Sequence, residues 1–204
     1  SGSETLTQVL ATKLNAASLE VESRLRLAAD RLASAAKYEG GRFRPPSFDE
    51  ACAGLLGVIP EKEAAFVSVI RQVAAVRKPF PNSIEPELRT LIEQHFSEDA
   101  YANRFKAFVE RIERQAASYG IKLDRHVYRT DIYEAAYKAG YRNCIRRSKD
   151  NLFTELSLYT GGTSESGDWR DGASAVNDAL ELKPNIMGLG INVNEILRRL
   201  LRRK

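Results

Sequence analysis

LTQVLATKLNAASLEVESRLRLAADRLASAAKYEGG, residues 6–41, sets the architecture of this chain. Leu6, Leu10, Leu14, Ala17, Val21, Leu25, Ala28, Leu32 and Ala35 recur in steps of three and four. The steps average about 3.6, the repeat of a straight α-helix rather than the 3.5 of a supercoil. Neither proline nor glycine interrupts Glu4 to Glu39, and Gly40-Gly41 closes the run. Such a helix is roughly 50 Å long at 1.5 Å per residue. A compact globule of 204 residues has a radius of gyration of only about 17 Å. The helix is therefore expected to be the spine of a bundle. Self-association is expected through any part of the stripe that the other helices leave uncovered.

The rest of the first 160 residues repeats the same punctuation. Beyond Pro45-Pro46, Ser47-Phe-Asp-Glu50 matches a capping box and predicts a short helix running to about Gly57. Pro60 is placed as the first residue of the next helix, with Phe66, Val69, Ile70 and Val73 inward and Pro79 as its stop. Pro86 opens a helix carrying Leu88, Leu91 and Ile92. Ser97 is expected to cap one whose stripe is Tyr101, Phe105, Phe108, Val109, Ile112, Ala116 and Tyr119, ended by Gly120. Thr130-Asp131 starts a further helix with Ile132, Ala135, Ala136 and Ala139 inward, interrupted at Gly140; residues 142–159 are again helical.

The pattern then changes. Residues 160–172, TGGTSESGDWRDG, are turn-rich and polar and read as a flexible loop. Met187, Leu189, Ile191 and Val193 alternate with Gly188, Gly190 and Asn192, a period of two that predicts a strand. Leu180 and Leu182 supply a partner strand across a Pro184-Asn185 turn. Asn194 then caps a helix with Ile196, Leu197, Leu200 and Leu201 on one face and Arg198, Arg199, Arg202 and Arg203 on the other. The expected fold is mainly α: a bundle of six or seven helices over 4–159, the loop 160–172, and over 173–204 a small C-terminal β-hairpin with a closing basic amphipathic helix packed on the bundle.

The longest uncharged stretch, Pro184 to Asn194, is eleven residues, against about 20 for a helix crossing a bilayer. Two distant cysteines, Cys52 and Cys144, do not make a disulfide framework, so a reducing, cytoplasmic setting is expected. Ser1-Gly2-Ser3 reads as the remnant of a cleaved tag. The net charge is +4, and it is concentrated. Residues 121–150 carry eight Lys/Arg against four Asp/Glu, and residues 194–204 carry five against one, so each segment alone is +4. Segregated charge of this kind suits an anionic partner.

Most catalytic chemistry lacks a marker. The two histidines, His95 and His126, show no metal-ligand spacing, and His95 falls at the apolar edge of its helix as a packed residue would. No metal or cofactor is expected. Cys144 lies among Arg142, Arg146 and Arg147, which would lower its pKa if it were exposed; packing is the simpler role for a lone helical cysteine. Gly188-Leu-Gly190 begins like a dinucleotide loop but has Val193 at the third glycine position and no βαβ unit around it.

The richest zone is Arg125 to Lys149. Tyr133, Tyr137 and Tyr141 recur every four residues, with Tyr128 upstream. Arg125, Arg129, Lys138, Arg142, Arg146 and Arg147 are interleaved with them. On one continuous helix this is an aromatic ladder flanked by cations, suited to an acidic protein surface, a nucleotide or a single-stranded nucleic acid. The alternative is that the rings cover the core and the arginines snorkel over them. The expected function is a non-catalytic cytoplasmic interaction or regulatory module. It would bind a protein partner, or a second copy, through helical and basic surfaces that include Arg198, Arg199, Arg202 and Arg203. The alternatives are a nucleic-acid or nucleotide binder using residues 125–149, and an enzyme whose site is assembled only by folding. An anionic membrane surface is a further, lesser candidate for the terminal helix.

Overall fold

The computed structural model describes residues 5–77, 79–80 and 84–160. The expected hairpin and closing helix of 173–204, with Arg198, Arg199, Arg202 and Arg203, and nearly all of the loop 160–172, lie outside the described residues. What is described is helical: α1 (Leu6–Tyr38), α2 (Pro45–Gly54), α3 (Val58–Arg77), α4 (Glu85–His95), α5 (Glu98–Ala102), α6 (Arg104–Ser118) and α7 (Thr130–Ser157). The only strand-like pairing among these residues is an isolated parallel bridge between Phe80 and Thr160. No described helix is long and apolar enough to cross a membrane.

α1 is the spine. Thr5 and Gln8 form its capping box, the Thr5 hydroxyl accepting from the Gln8 N–H and the Gln8 side chain accepting from the Thr5 N–H. Gly40 and Gly41, both at positive φ, end it. It packs most extensively against α3 on one side and α6 on the other. Glu22 pairs with Arg104, Asp30 with Arg111, and Lys37 lies over the Tyr119 ring, so α1 and α6 run parallel. α3 runs the opposite way along α1, because Glu22 neighbours Lys62 while Asn15 and Phe66 both touch His95. Flanked on two sides, α1 buries Leu10, Leu14, Val21, Ala29, Leu32, Ala33 and Ala36. The inward face thus shifts by one residue after Leu25, and the expected Ala28 and Ala35 are exposed.

Several local expectations are corrected. α2 begins at Pro45 with Arg44 as its cap and no side-chain cap bond, so Ser47 is already helical and closes no capping box. Two consecutive prolines with pre-set φ in a first turn explain the earlier start. Pro60 is the third residue of α3, not the first. Asn103 divides the expected helix after Ser97 into α5 and α6, and Ser97 makes no side-chain cap bond. Tyr119, at the C-terminal end of that stripe, is exposed.

The largest correction concerns α7. It runs without a break through Gly140, whose missing side chain makes room for Leu56: a Cβ there would sit 3.1 Å from Leu56 Cδ1. The face turned inward is also rotated from the expected one, keeping Ala136 but not Ala135 and Ala139. Ala136, Tyr137, Gly140, Tyr141, Cys144, Ile145, Ser148, Leu152 and Leu156 are buried, while Ala135 and Ala139 are exposed. Rings bury far more apolar area than alanine methyls, so the aromatic face wins the core. Each ring that goes inward also finds a partner for its hydroxyl: Tyr137 donates to a backbone carbonyl and Tyr141 accepts from Arg142 Nε.

Candidate functional site

Tyr137 and Tyr141 are only 2% and 5% exposed and stack on each other with centroids 5.3 Å apart. The Tyr137 hydroxyl donates to the Tyr101 carbonyl at 2.7 Å. The half-buried Tyr133 hydrogen-bonds Asp49. The Tyr128 hydroxyl accepts from Phe43 N–H at 3.0 Å and donates to Phe43 C=O at 2.9 Å. Tyr137 and Tyr141 are therefore core residues, and Tyr128 and Tyr133 pack half-buried against that core, all four with bonded hydroxyls rather than as an open stacking platform.

The interleaved cations lie outside and meet carboxylates. Arg125 pairs with Glu113, Arg129 with Asp131, Lys138 with Glu134, and Lys149 with Glu93. Arg142 and Arg146 converge on Glu98, and Arg147 faces Glu63. Cys144 is buried, and desolvation raises its thiol pKa against the opposing pull of Arg147. The Cys52 thiol is pushed up to about 12, by burial and by the nearby Asp49. Neither is an activated nucleophile. His95 is packed edge-on to Phe66 and pairs with Asn15 at 2.9 Å, and burial lowers its pKa. Among the described residues no His/Cys/Asp/Glu cluster could hold a metal ion.

A different cluster is assembled where α1, α3 and α6 meet. Lys62 is 3% exposed. Its ammonium donates to the His95 carbonyl at 2.9 Å and to the Tyr101 hydroxyl at 3.1 Å, with Glu22 Oε1 at 3.9 Å. Desolvation brings its pKa down to about 8, although Glu22 acts the other way. The Tyr101 hydroxyl is pushed well above its usual range by burial and by Glu22. Glu22 Oε1 is buried with no hydrogen-bond partner. Glu22 Oε2 holds Arg104, and that contact outweighs desolvation to keep the guanidinium charged.

From this buried cluster the α1–α6 seam opens into a cleft of about 200 Å³, lined by Glu22, Leu25, Arg26, Arg104, Ala107, Phe108, Arg111 and Arg114. Asp30 accepts from Arg111 Nε at 2.9 Å and Nη2 at 2.8 Å, a two-point grip that fixes that guanidinium. Arg26 and Arg114 have no carboxylate within ion-pair distance among the described residues. Spacing alone pointed weakly to this set. Glu22, Arg26 and Asp30 follow each other by four, and Arg104, Arg111 and Arg114 share one face of α6. That the two rows meet across about 82 residues of chain is a tertiary fact.

No protein-family model matches this sequence, and comparisons with curated proteins and with solved structures found no similar chain.

Proposed function

We propose that this chain is a non-catalytic interaction module whose α1–α6 cleft receives an acidic stretch of a partner protein. The observation that carries this reading is the pair Arg26 and Arg114. They line a cleft in which the other two arginines are already held by carboxylates. Fixed guanidiniums present their remaining N–H groups in set directions, so less freedom is lost on binding. The apolar stripe of α1 is used inside the fold, which favours this charged cleft over a hydrophobic seam between copies. Lys62 is the group best suited to enzymatic acid–base work, but it does not line the cleft and its ammonium is already engaged. Two buried, unbridged cysteines suit a cytoplasmic setting.

The test is fluorescence anisotropy with a short labelled Asp/Glu-rich peptide at low salt. Arg26→Glu with Arg114→Glu should weaken binding by about tenfold or more. The same reversal at Arg142 and Arg146 should change it by less than about threefold, because charge there acts only at a distance. No binding, or equal loss in both variants, rejects the cleft.

One observation favours a second reading. Tyr38 and Tyr119 are 82% and 40% exposed on either side of Lys37. Arg42 and Lys122, in the adjoining loops, have no carboxylate partner among the described residues. Exposed rings beside free cations suit single-stranded nucleic acid, at a place other than the 125–149 helix face. Binding of a labelled single strand with a log–log salt slope of about −0.7 per phosphate contact, weakened by Tyr38→Ala, would support it.

A further inference from the structure

We infer that the ligand group preferred by the α1–α6 cleft is a phosphorylated side chain of the partner protein. This rests on the reading of the cleft as a site for an acidic segment, and adds what that segment must carry. The first argument is charge. Arg26, Arg104, Arg111 and Arg114 stand against Glu22 and Asp30, leaving two positive charges, and Lys62 behind Glu22 adds to that excess. A carboxylate side chain answers one of them. A phosphomonoester, carrying about −1.5 to −2 at neutral pH, answers both.

The second argument is the donor set. Arg111 gives Nε and Nη2 to Asp30, leaving its Nη1 protons. Arg104 gives Nη1 to Glu22 and Nε to the Ala100 carbonyl, leaving Nη2. Arg26 and Arg114 retain their whole forks. A carboxylate has two oxygens with about four acceptor sites, all in one plane. A phosphate has three terminal oxygens and accepts from several arginines at once.

The third argument is size and floor. About 200 Å³ is below the roughly 300–1,000 Å³ of sites that enclose a drug-sized ligand, and it suits one anionic side chain. Leu25 and the buried Phe108 form its apolar part, against which the arginine stems and an ester carbon can pack. Ala107, on the turn between Arg104 and Arg111, keeps the entrance open with a single methyl. No histidine lines the cleft: α1 contributes Glu22 and Arg26, α6 contributes Arg104, Arg111 and Arg114, and Asp30 adjoins through Arg111. Any change in affinity near pH 6 therefore reports on the ligand.

The experiment uses the full chain and three labelled peptides of one acidic sequence, differing at one position: phosphoserine, glutamate or serine. The phosphoserine peptide should bind about tenfold or more tightly than the glutamate peptide at pH 7.5. That advantage should shrink as the pH falls through about 6, where the dianion takes up a proton. Arg26→Gln with Arg114→Gln should erase the advantage while circular dichroism shows an intact helical fold, and inorganic phosphate should compete in the wild type only. Equal binding of the phosphoserine and glutamate peptides overturns this inference and leaves the acidic-segment reading standing. No binding of any peptide overturns both. A phosphoserine advantage that survives the double variant overturns the assignment to this cleft. A single-stranded oligonucleotide that binds more tightly than the peptides, and is weakened by the same variant, overturns the partner class.

Discussion

Along the α1–α6 seam four arginines face two carboxylates, whereas along the outside of α7 the cations from Arg129 to Lys149 are met by Asp131, Glu134, Glu98, Glu93 and Glu63. In the sequence the ranking is the reverse. Residues 121–150 hold the conspicuous positive excess, and α1 and α6 do not stand out. Local net charge along the chain therefore does not locate positive surface. The excess on α7 is answered by acids from α3, α4 and α5, which are far away in the chain. The excess on α6 is only partly answered by α1, whose Glu22 and Asp30 meet Arg104 and Arg111 and leave Arg114 without a carboxylate among the described residues.

Removing the buried carboxylate of the seam should have the largest effect. Glu22→Ala leaves Lys62 and Arg104 close together without their counter-charge, and should cost about 3–5 kcal/mol in chemical denaturation. A loss under about 1 kcal/mol, the range of exposed pairs, would erase the distinction between the two regions. Next comes the contact that turns the aromatic face of α7 inward. Gly140→Val must displace Leu56 and should cost about 1–3 kcal/mol through overpacking. An unchanged melting curve would mean that α7 does not need that close approach.

The third effect is a pH dependence. The folded-state pKa of Lys62, about 8, is below its ordinary 10.5. The unfolded chain therefore binds the proton more readily between those values, and stability rises with pH across that window. Lys62 alone should contribute a rise of about 1 kcal/mol from pH 8 to 9, following 1.36 kcal/mol per unit, read as the difference between the wild type and Lys62→Met. As the pH approaches and passes 9 the raised Cys52 and Cys144 thiols oppose it, because the folded state holds those protons longer. Above pH 10 the raised Tyr101 and Tyr137 hydroxyls oppose it in the same way. Lys62→Met should lack the rise between pH 8 and 9; if the variant shows the same slope, another group is its source. The smallest effect belongs to the outer face. Arg146→Ala breaks an exposed pair with Glu98 and should change stability by less than about 1 kcal/mol in urea. A larger loss would show that the α5–α7 pairs hold structure together.

The inward direction of α7 marks where sequence reading stops. Ile132, Ala135 and Ala139 formed a plausible apolar stripe, and Tyr133, Tyr137 and Tyr141 a plausible outer ladder. Both rows have helical spacing, so periodicity alone could not rank them. Acceptors for the rings decided it: the Tyr101 carbonyl for Tyr137 and Asp49 for Tyr133. Both lie on other elements. The same holds for Lys62, whose partners His95 and Tyr101 are 33 and 39 residues away.

By itself, then, the sequence determined that α1 is long and helical, that α3, α4, α6 and α7 follow, and roughly where each ends. These properties depend on neighbours three or four residues away and on proline and glycine, which act on their own backbone. Tertiary structure decided the shift of the α1 face after Leu25, the continuity of α7 through Gly140, and the meeting of Arg104 with Glu22 and Arg111 with Asp30. Each of these sets one helix against another. A buried charge or ring takes up the place where a distant partner satisfies it, because leaving it unsatisfied costs more than any local preference supplies.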